Sequence, residues 1–246
     1  MTFFYAILLG LLQGITEFLP ISSSGHLVIL ESFMHLDVES LKDFDVMLHL
    51  GTLIAILIFF WKDIWQIKRW PILILASVPA IIIGLLFEDQ IDAIFRNQIS
   101  VAIIMIIVGA LFLIPQKNTK NQINYLRGFL IGCAQAVAII PGVSRSGSTI
   151  FTGTMLGITR EESARFSFLL GSIAIAGAGF LTAVDLDTAQ LLPTPILLAG
   201  FLASFLSSIF AVSFLMNFLK KHSLKAFGIY RIIFGLFVLG LSLVNI

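Results

Sequence analysis

Two short stretches decide how this chain folds: Pro20-Ile-Ser-Ser-Ser-Gly25 and Pro141-Gly-Val-Ser-Arg-Ser-Gly147. Each interrupts an apolar run near its middle, the first spanning about 3–35 and the second about 125–157. Pro, Gly and clustered Ser at such a point would leave backbone groups unpaired in lipid. They are tolerated only where the backbone is buried in protein or faces a wet cavity. Both runs therefore read as re-entrant helical hairpins.

The rest of the chain supplies the bilayer context. Of its 246 residues, 58% are hydrophobic and 12% charged, whereas a soluble domain of this size carries about 25% charged residues. Six segments, about 44–61, 71–88, 99–115, 166–184, 196–219 and 226–245, are long and apolar enough to cross a membrane, which takes about 20 residues. A net charge of +1 gives no basic field for nucleic acid. The single cysteine, Cys133, excludes an internal disulfide and a Cys-based metal cluster and reads as a packing residue. The first 20 residues lack a basic leader and carry Glu17, so they are read as mature protein rather than a signal peptide.

Charges in the connecting segments orient the crossings. Asp37, Glu39 and Asp43 against Lys42 place 35–43 outside, and Lys62, Lys68 and Arg69 against Asp63 place 61–70 in the cytoplasm. Glu88, Asp89 and Asp92 against Arg96 mark an external 88–98, while Lys117, Lys120 and Arg127 mark a cytoplasmic 116–127. Asp185 and Asp187 lie outside and Lys220, Lys221 and Lys225 inside; the mixed patch Arg160, Glu161, Glu162 and Arg165 discriminates least. The signs alternate correctly only if both broken segments return to the side they entered, leaving both termini outside.

The chain also repeats itself. Gln13 and Ser22-Ser23-Ser24-Gly25 recur 122 residues later as Gln135 and Ser144-Arg145-Ser146-Gly147. Leu50-Gly51-Thr52 with Ile54-Ala55-Ile56 resembles Leu170-Gly171-Ser172 with Ile173-Ala174-Ile175 at a shift of about 120. Each copy holds one hairpin and three crossings, an odd number, so the second copy is inverted. The expected architecture is an all-α polytopic membrane protein, a single domain over 1–246, with repeat 1 at about 1–115 and repeat 2 at about 125–246. It has six transmembrane helices plus two re-entrant helical hairpins whose tips meet near the midplane.

Those tips carry chemistry. A helix starting after each proline presents free N–H groups and the positive end of its dipole, which bind anions. Ser22, Ser23 and Ser24 add hydroxyls, Gly25, Gly142 and Gly147 allow close backbone approach, and Arg145 adds a charged fork suited to phosphate. Gln13 and Glu17 share a helical face just before the first tip, and His26 follows Gly25. Anion clamps, a nucleophile and a proton carrier are the kit for phosphoryl transfer. A second assignment gives Glu17, with Gln13, to a divalent cation (magnesium or calcium) bridging the phosphates. Taken alone, Arg145 would pair with Glu17 as a structural bridge, and Gly10 with Gly14 would mark close helix packing. His35, His49, His222 and Arg231 are assigned no chemistry.

At these residues the chain resembles the bacitracin-resistance family of undecaprenyl-diphosphatases. Gln13-Gly-Ile-Thr-Glu17-Phe-Leu-Pro-Ile-Ser-Ser-Ser-Gly-His26 matches the first family motif and Pro141-Gly-Val-Ser-Arg-Ser-Gly-Ser-Thr149 the second. Val78-Pro79-Ala80, Gly84-Leu-Leu-Phe87 and Tyr230-Arg231 also fit, so the resemblance covers essentially the whole chain. It implies a phosphatase of the bacterial cytoplasmic membrane that converts undecaprenyl diphosphate to the monophosphate, recycles the carrier for cell-wall synthesis, confers bacitracin resistance and opens outward. It further implies Ser23 as nucleophile, His26 as its acid/base partner and Arg145 as the diphosphate holder. Ser22, Ser24, Gly25, Ser144, Ser146, Gly147 and Thr149 would surround the substrate, with Glu17 and Gln13 beside the site as base or metal ligand. Gln13 stands where other members can carry a carboxylate, which weakens a two-carboxylate metal site. The implied partners are a polyprenyl diphosphate and the bilayer, with a homodimer as one assembly state. A second superfamily of lipid phosphatases also uses Ser-Gly-His, but it needs a His and an Asp soon after Ser-Arg, and no His follows Arg145 before His222. The alternative function is a polyprenyl-phosphate transporter or flippase on the same scaffold.

Overall fold

The computed structural model describes residues 2–33, 42–116, 119–185 and 193–244. The loop charges Asp37, Glu39, Lys117 and Asp187, and His35, lie outside them. Every regular element among the described residues is a helix: α1 (Phe3–Phe18), α2 (Ser23–Phe33), α3 (Lys42–Phe59), α4 (Trp61–Ile64), a 3-10 turn (Ile67–Arg69), α5 (Trp70–Phe95), α6 (Gln98–Phe112), α7 (Tyr125–Val137), α8 (Arg145–Met155), α9 (Arg160–Asp185), α10 (Thr194–Lys221) and α11 (Lys225–Val244).

Four helical stretches, Ile67–Phe95, Arg160–Leu181, Thr194–Lys221 and Lys225–Ser242, are long and apolar enough to cross a membrane. α3 and α6 are apolar but shorter. The first turn of α3 is charged, so its apolar stretch begins at Phe44. α6 gives way before Pro115, whose ring disfavours helix in the residue ahead of it. α5 differs from expectation in the other direction. Its helix runs on through Glu88, Asp89 and Asp92, because no breaker follows Gly84, and it ends at Phe95 with Arg96 as its C-cap. Asn97 then starts the next helix by accepting the Ser100 N–H at 2.9 Å. Each broken run, as expected, is two helices flanking its Ser-rich turn.

Glycines set the tightest helix contacts. Gly10 lies on Gly200 and Gly14 on Ser204, so α1 and α10 run parallel. Gly128 lies on Ile72 and Gly132 on Ala76, so α7 and α5 are parallel too. α3 joins the first pair in the same direction, with Gly200 against Phe44 and Leu48, and the Ser204 hydroxyl donating to Leu48 O at 2.8 Å. Gly109 meets Gly228 while Gly235 meets Ala102, which makes α6 and α11 antiparallel.

Polar ties gather the connections at two ends. At one, Arg165 reaches Asp63 at 2.6 Å and Arg69 reaches Glu162 at 2.8 Å. At that end Asn121 also donates to Leu156 O, and the Leu224 N–H reaches Gln116 Oε1. At the other, Arg96 bridges Asp92 and Asp45 at 3.1 and 3.4 Å. The mixed charges of 160–165 are thus half of a network completed by Asp63 and Arg69. Between the ends, Phe18, Phe60, Phe112, Phe166, Phe168 and Leu215 lie in the main core.

These contacts separate two kinds of glycine. A Cβ at Gly132 would overlap the Ala76 backbone, whereas one at Gly240 meets nothing within 4 Å. Gly132→Ala should therefore cost about 1–3 kcal/mol through overpacking and lower the melting temperature in detergent. Gly240→Ala should leave it unchanged or raise it, by up to about 1 kcal/mol in helix propensity.

Candidate active site

Both tips are built the same way. Ser22 and Ser144 each take a left-handed backbone with φ 76°, unusual for a residue with a side chain and costing about 1–3 kcal/mol. The turn is secured locally. Ser22 Oγ accepts the Gly25 N–H at 3.3 Å, and Ser144 Oγ accepts the Gly147 N–H at 3.1 Å. These are N-caps, which start α2 and α8 where a Ser is among the strongest capping residues.

Across the tips, Glu17 is the meeting point. Its buried carboxylate pairs with the Arg145 guanidinium through Oε1. Oε2 accepts from Ser23 Oγ at 2.8 Å and from Gln13 Nε2 at 2.9 Å. Gln13 Nε2 also lies 2.8 Å from His49 Nδ1. An amide oxygen in place of that nitrogen would face the carboxylate, so Nε2 donates to both, and the His49 proton sits on its own Nε2. Ser146 Oγ donates to Leu19 O at 3.3 Å, a second tie between the tips.

Arg145 needs room, and α9 supplies it at Gly171: a Cβ there would occupy the position of Nη1. Nη1 itself is buried without a hydrogen-bond partner, a donor that an incoming anion can satisfy.

His26 sits otherwise than expected. Its Nδ1 is 2.7 Å from Ser22 O, which can only accept, so Nδ1 carries the proton. Its Nε2 accepts from the Tyr230 hydroxyl at 2.8 Å, and the ring stacks on Phe234 with centroids 4.5 Å apart. The hydroxyl of Ser23 thus bonds Glu17, while the imidazole bonds Tyr230. Of the remaining expected residues, Ser22, Ser144 and Gly147 are engaged in capping. Thr149 Oγ1 donates to Arg145 O at 2.7 Å and lies 2.6 Å from Ser167 Oγ. Gly25 packs against Val101 and Met105, and Ser24 is exposed.

His49, Tyr230 and Gly171 were given no role by residue reasoning. His49 carried a signal, an ionisable side chain within an apolar helix; Gly171 could be seen only once Arg145 was placed. As a cation site the cluster fits poorly. Among the described residues no three His, Cys, Asp or Glu side chains come together, and both Glu17 oxygens already receive donors.

The fold and cluster define a multi-pass, all-α membrane protein with a serine, a carboxylate and an arginine joined at its centre. The chain belongs to the bacitracin resistance protein BacA family, whose model matches residues 6–237. It is 40% identical to an undecaprenyl-diphosphatase of Acetivibrio thermocellus over 258 residues, 95% of each chain. Undecaprenyl-diphosphatases of Elusimicrobium minutum and Methanosphaera stadtmanae are 38% and 37% identical, each alignment covering 97% of this chain and 98% of the relative.

The Gly171 cradle gives a direct test. Gly171→Ala should keep the fold, because only the mobile end of Arg145 must move. Methylenediphosphonate should raise the melting temperature of the wild type in detergent, and Gly171→Ala should abolish that rise.

Proposed function

We propose that this chain hydrolyses undecaprenyl diphosphate to undecaprenyl phosphate and inorganic phosphate, renewing the lipid carrier of cell-wall synthesis and so conferring bacitracin resistance. The observation that carries this reading is the contact of Ser23 Oγ with Glu17 Oε2 at 2.8 Å, beside the Arg145 fork. Arg145 and the N–H groups at the starts of α2 and α8 hold the diphosphate and take up charge as it shifts. Glu17 accepts the Ser23 proton as Oγ attacks the terminal phosphorus. The P–O bond to undecaprenyl phosphate breaks, and water then cleaves the phosphoserine. Arg145 turns from Glu17 to phosphate in this scheme, so substrate binding itself frees the carboxylate. Gln13 holds Glu17 in place, His49 supports Gln13, and Ser24 with the second-tip residues Ser144, Ser146, Gly147 and Thr149 shapes the pocket. His26, bound to Ser22 O and Tyr230, anchors the first tip and is the other group able to act on phosphate.

The finer architecture belongs to the same reading: six crossings and two re-entrant hairpins in two inverted repeats within one domain over 1–246. Helix directions support it. α1 and α3 both run parallel to α10, and α1 and α3 would oppose each other had the first broken segment crossed. α9 starts at the end where α3 finishes and α5 begins, so it runs with α5 and α7, as a returning second hairpin requires. The site opens outward from the cytoplasmic membrane. All its residues come from one chain, so a homodimer would carry two complete sites.

Sidedness is checked by cysteine labelling in a Cys133→Ser background. A membrane-impermeant maleimide applied to intact spheroplasts should label Asn97→Cys, and should label Gln66→Cys only after lysis.

Activity is checked by phosphate release from undecaprenyl diphosphate by purified, folded variants. Ser23→Ala, Arg145→Ala and Glu17→Gln should each fall at least about 100-fold, the span of a lost acid/base group. A His26→Ala loss exceeding that of Ser23→Ala would shift the nucleophile to the imidazole. No release by any protein, with lipid phosphate crossing vesicles despite Ser23→Ala, would favour the flippase.

A further inference from the structure

Arg231 is the largest fully buried side chain among the described residues, in the middle of α11. A buried guanidinium is costly unless its donors are taken; both terminal nitrogens of Arg231 donate to backbone, while Nε is buried without a hydrogen-bond partner. Nη1 donates to Pro20 O at 3.5 Å and Nη2 to Gly142 O. The guanidinium carbon also lies over the Phe112 ring, 5.4 Å from its centroid. The two acceptors hold corresponding places in the two tips. Each stands two residues before a left-handed serine, Ser22 or Ser144, and Gly142 itself has φ +95°. Broken backbone at membrane depth needs such a partner, and one planar fork with several donors satisfies both turns at once. Its neighbour Tyr230 bonds His26 on α2, so one turn of α11 holds the first tip twice and the second once.

We propose that Arg231 is a positioning residue for the reaction. By bonding Pro20 O and Gly142 O together it fixes the spacing of the tips, and hence the reach of Ser23 and Arg145 to one diphosphate. It touches neither the substrate nor Ser23. The inference rests on the phosphatase reading for its rate readout but not for its binding readout. A lysine ends in a single nitrogen with a shorter reach than the guanidinium fork and cannot hold both carbonyls in the same plane; a glutamine amide reaches at most one.

The test compares wild type, Arg231→Lys, Arg231→Gln, Ser146→Ala and the Arg231→Lys/Ser146→Ala double variant. For each, melting temperature, kcat and KM with undecaprenyl diphosphate, and affinity for an uncleavable methylene-bridged polyprenyl diphosphonate are measured on the folded, monodisperse fraction. Misplacing reacting groups by about 1 Å costs about 100-fold. Arg231→Lys and Arg231→Gln should therefore lose roughly 10- to 100-fold in kcat with a smaller change in KM. Their analogue affinity should fall severalfold, with melting retained well above the assay temperature. Ser146→Ala removes the other backbone tie between tips, so the double variant should lose much more, or much less, than the product of the single losses. Wild-type kcat and affinity in both Arg231 variants, or losses that multiply with those of Ser146→Ala, would overturn the proposal. So would failure of both Arg231 variants to fold, which would make Arg231 a folding residue only. If wild type releases no phosphate yet binds the analogue, the phosphatase reading fails and the affinities alone decide the role of Arg231.

Discussion

A carboxylate and a guanidinium meet where two broken helices face each other, and the centre of the fold is arranged around that contact. Glu17 ends α1 and Arg145 begins α8, 128 residues apart in sequence. Separately each would be a charge stranded among apolar helices, at a cost of several kcal/mol. Paired, they tie the tips together and place Ser23 and Gln13 on the remaining carboxylate oxygen. The pair also leaves part of the guanidinium unused. Arg145 keeps one buried donor, Nη1, without a hydrogen-bond partner beside Gly171.

The two tips share a backbone but not a chemistry. Ser22 and Ser144 have the same φ and cap their helices alike. At matching offsets, however, Ser23 answers to Arg145, His26 to Ser148, and Glu17 to Ile139. One half carries hydroxyl, imidazole and carboxylate; the other carries the cation. The second amide shows the same division: Gln13 is bonded to Glu17 and His49, while Gln135 is buried with neither amide atom paired. The glycines of the repeated Leu-Gly block diverge as well. Gly51 admits the α10 backbone, and Gly171 admits the Arg145 side chain. The two turns thus present unequal side chains on an equal frame.

Much of this was legible in the residues because the bilayer imposes strict rules. Apolar length located the helices, with most boundaries within a few residues. Interruptions located the tips, since an unpaired backbone group in lipid is too costly to be accidental. Loop charges grouped most of the ends; the mixed patch at 160–165, which the charge count left nearly undecided, is joined by ion pairs to Asp63 and Arg69 of the segment counted as cytoplasmic. Where expectation and structure part, the cause is local. The acidic stretch after Gly84 stays helical because exposed carboxylates do not break a helix, and the bilayer's edge leaves no mark on the backbone.

Sequence by itself determined the helices, the two broken tips, the set of polar groups able to meet there and, through long motifs, the family. Spacing along one helix can say that Gln13 and Glu17 share a face. It cannot say which side chain from another helix reaches that face. Tertiary structure decided that Ser23 bonds Glu17 while His26 bonds Tyr230, that His49 stands behind Gln13, and that Arg231 joins the carbonyls of both turns. These contacts depend on rotations and crossings of helices far apart in the chain, set by close glycine packing and by the need of each buried polar atom for a partner.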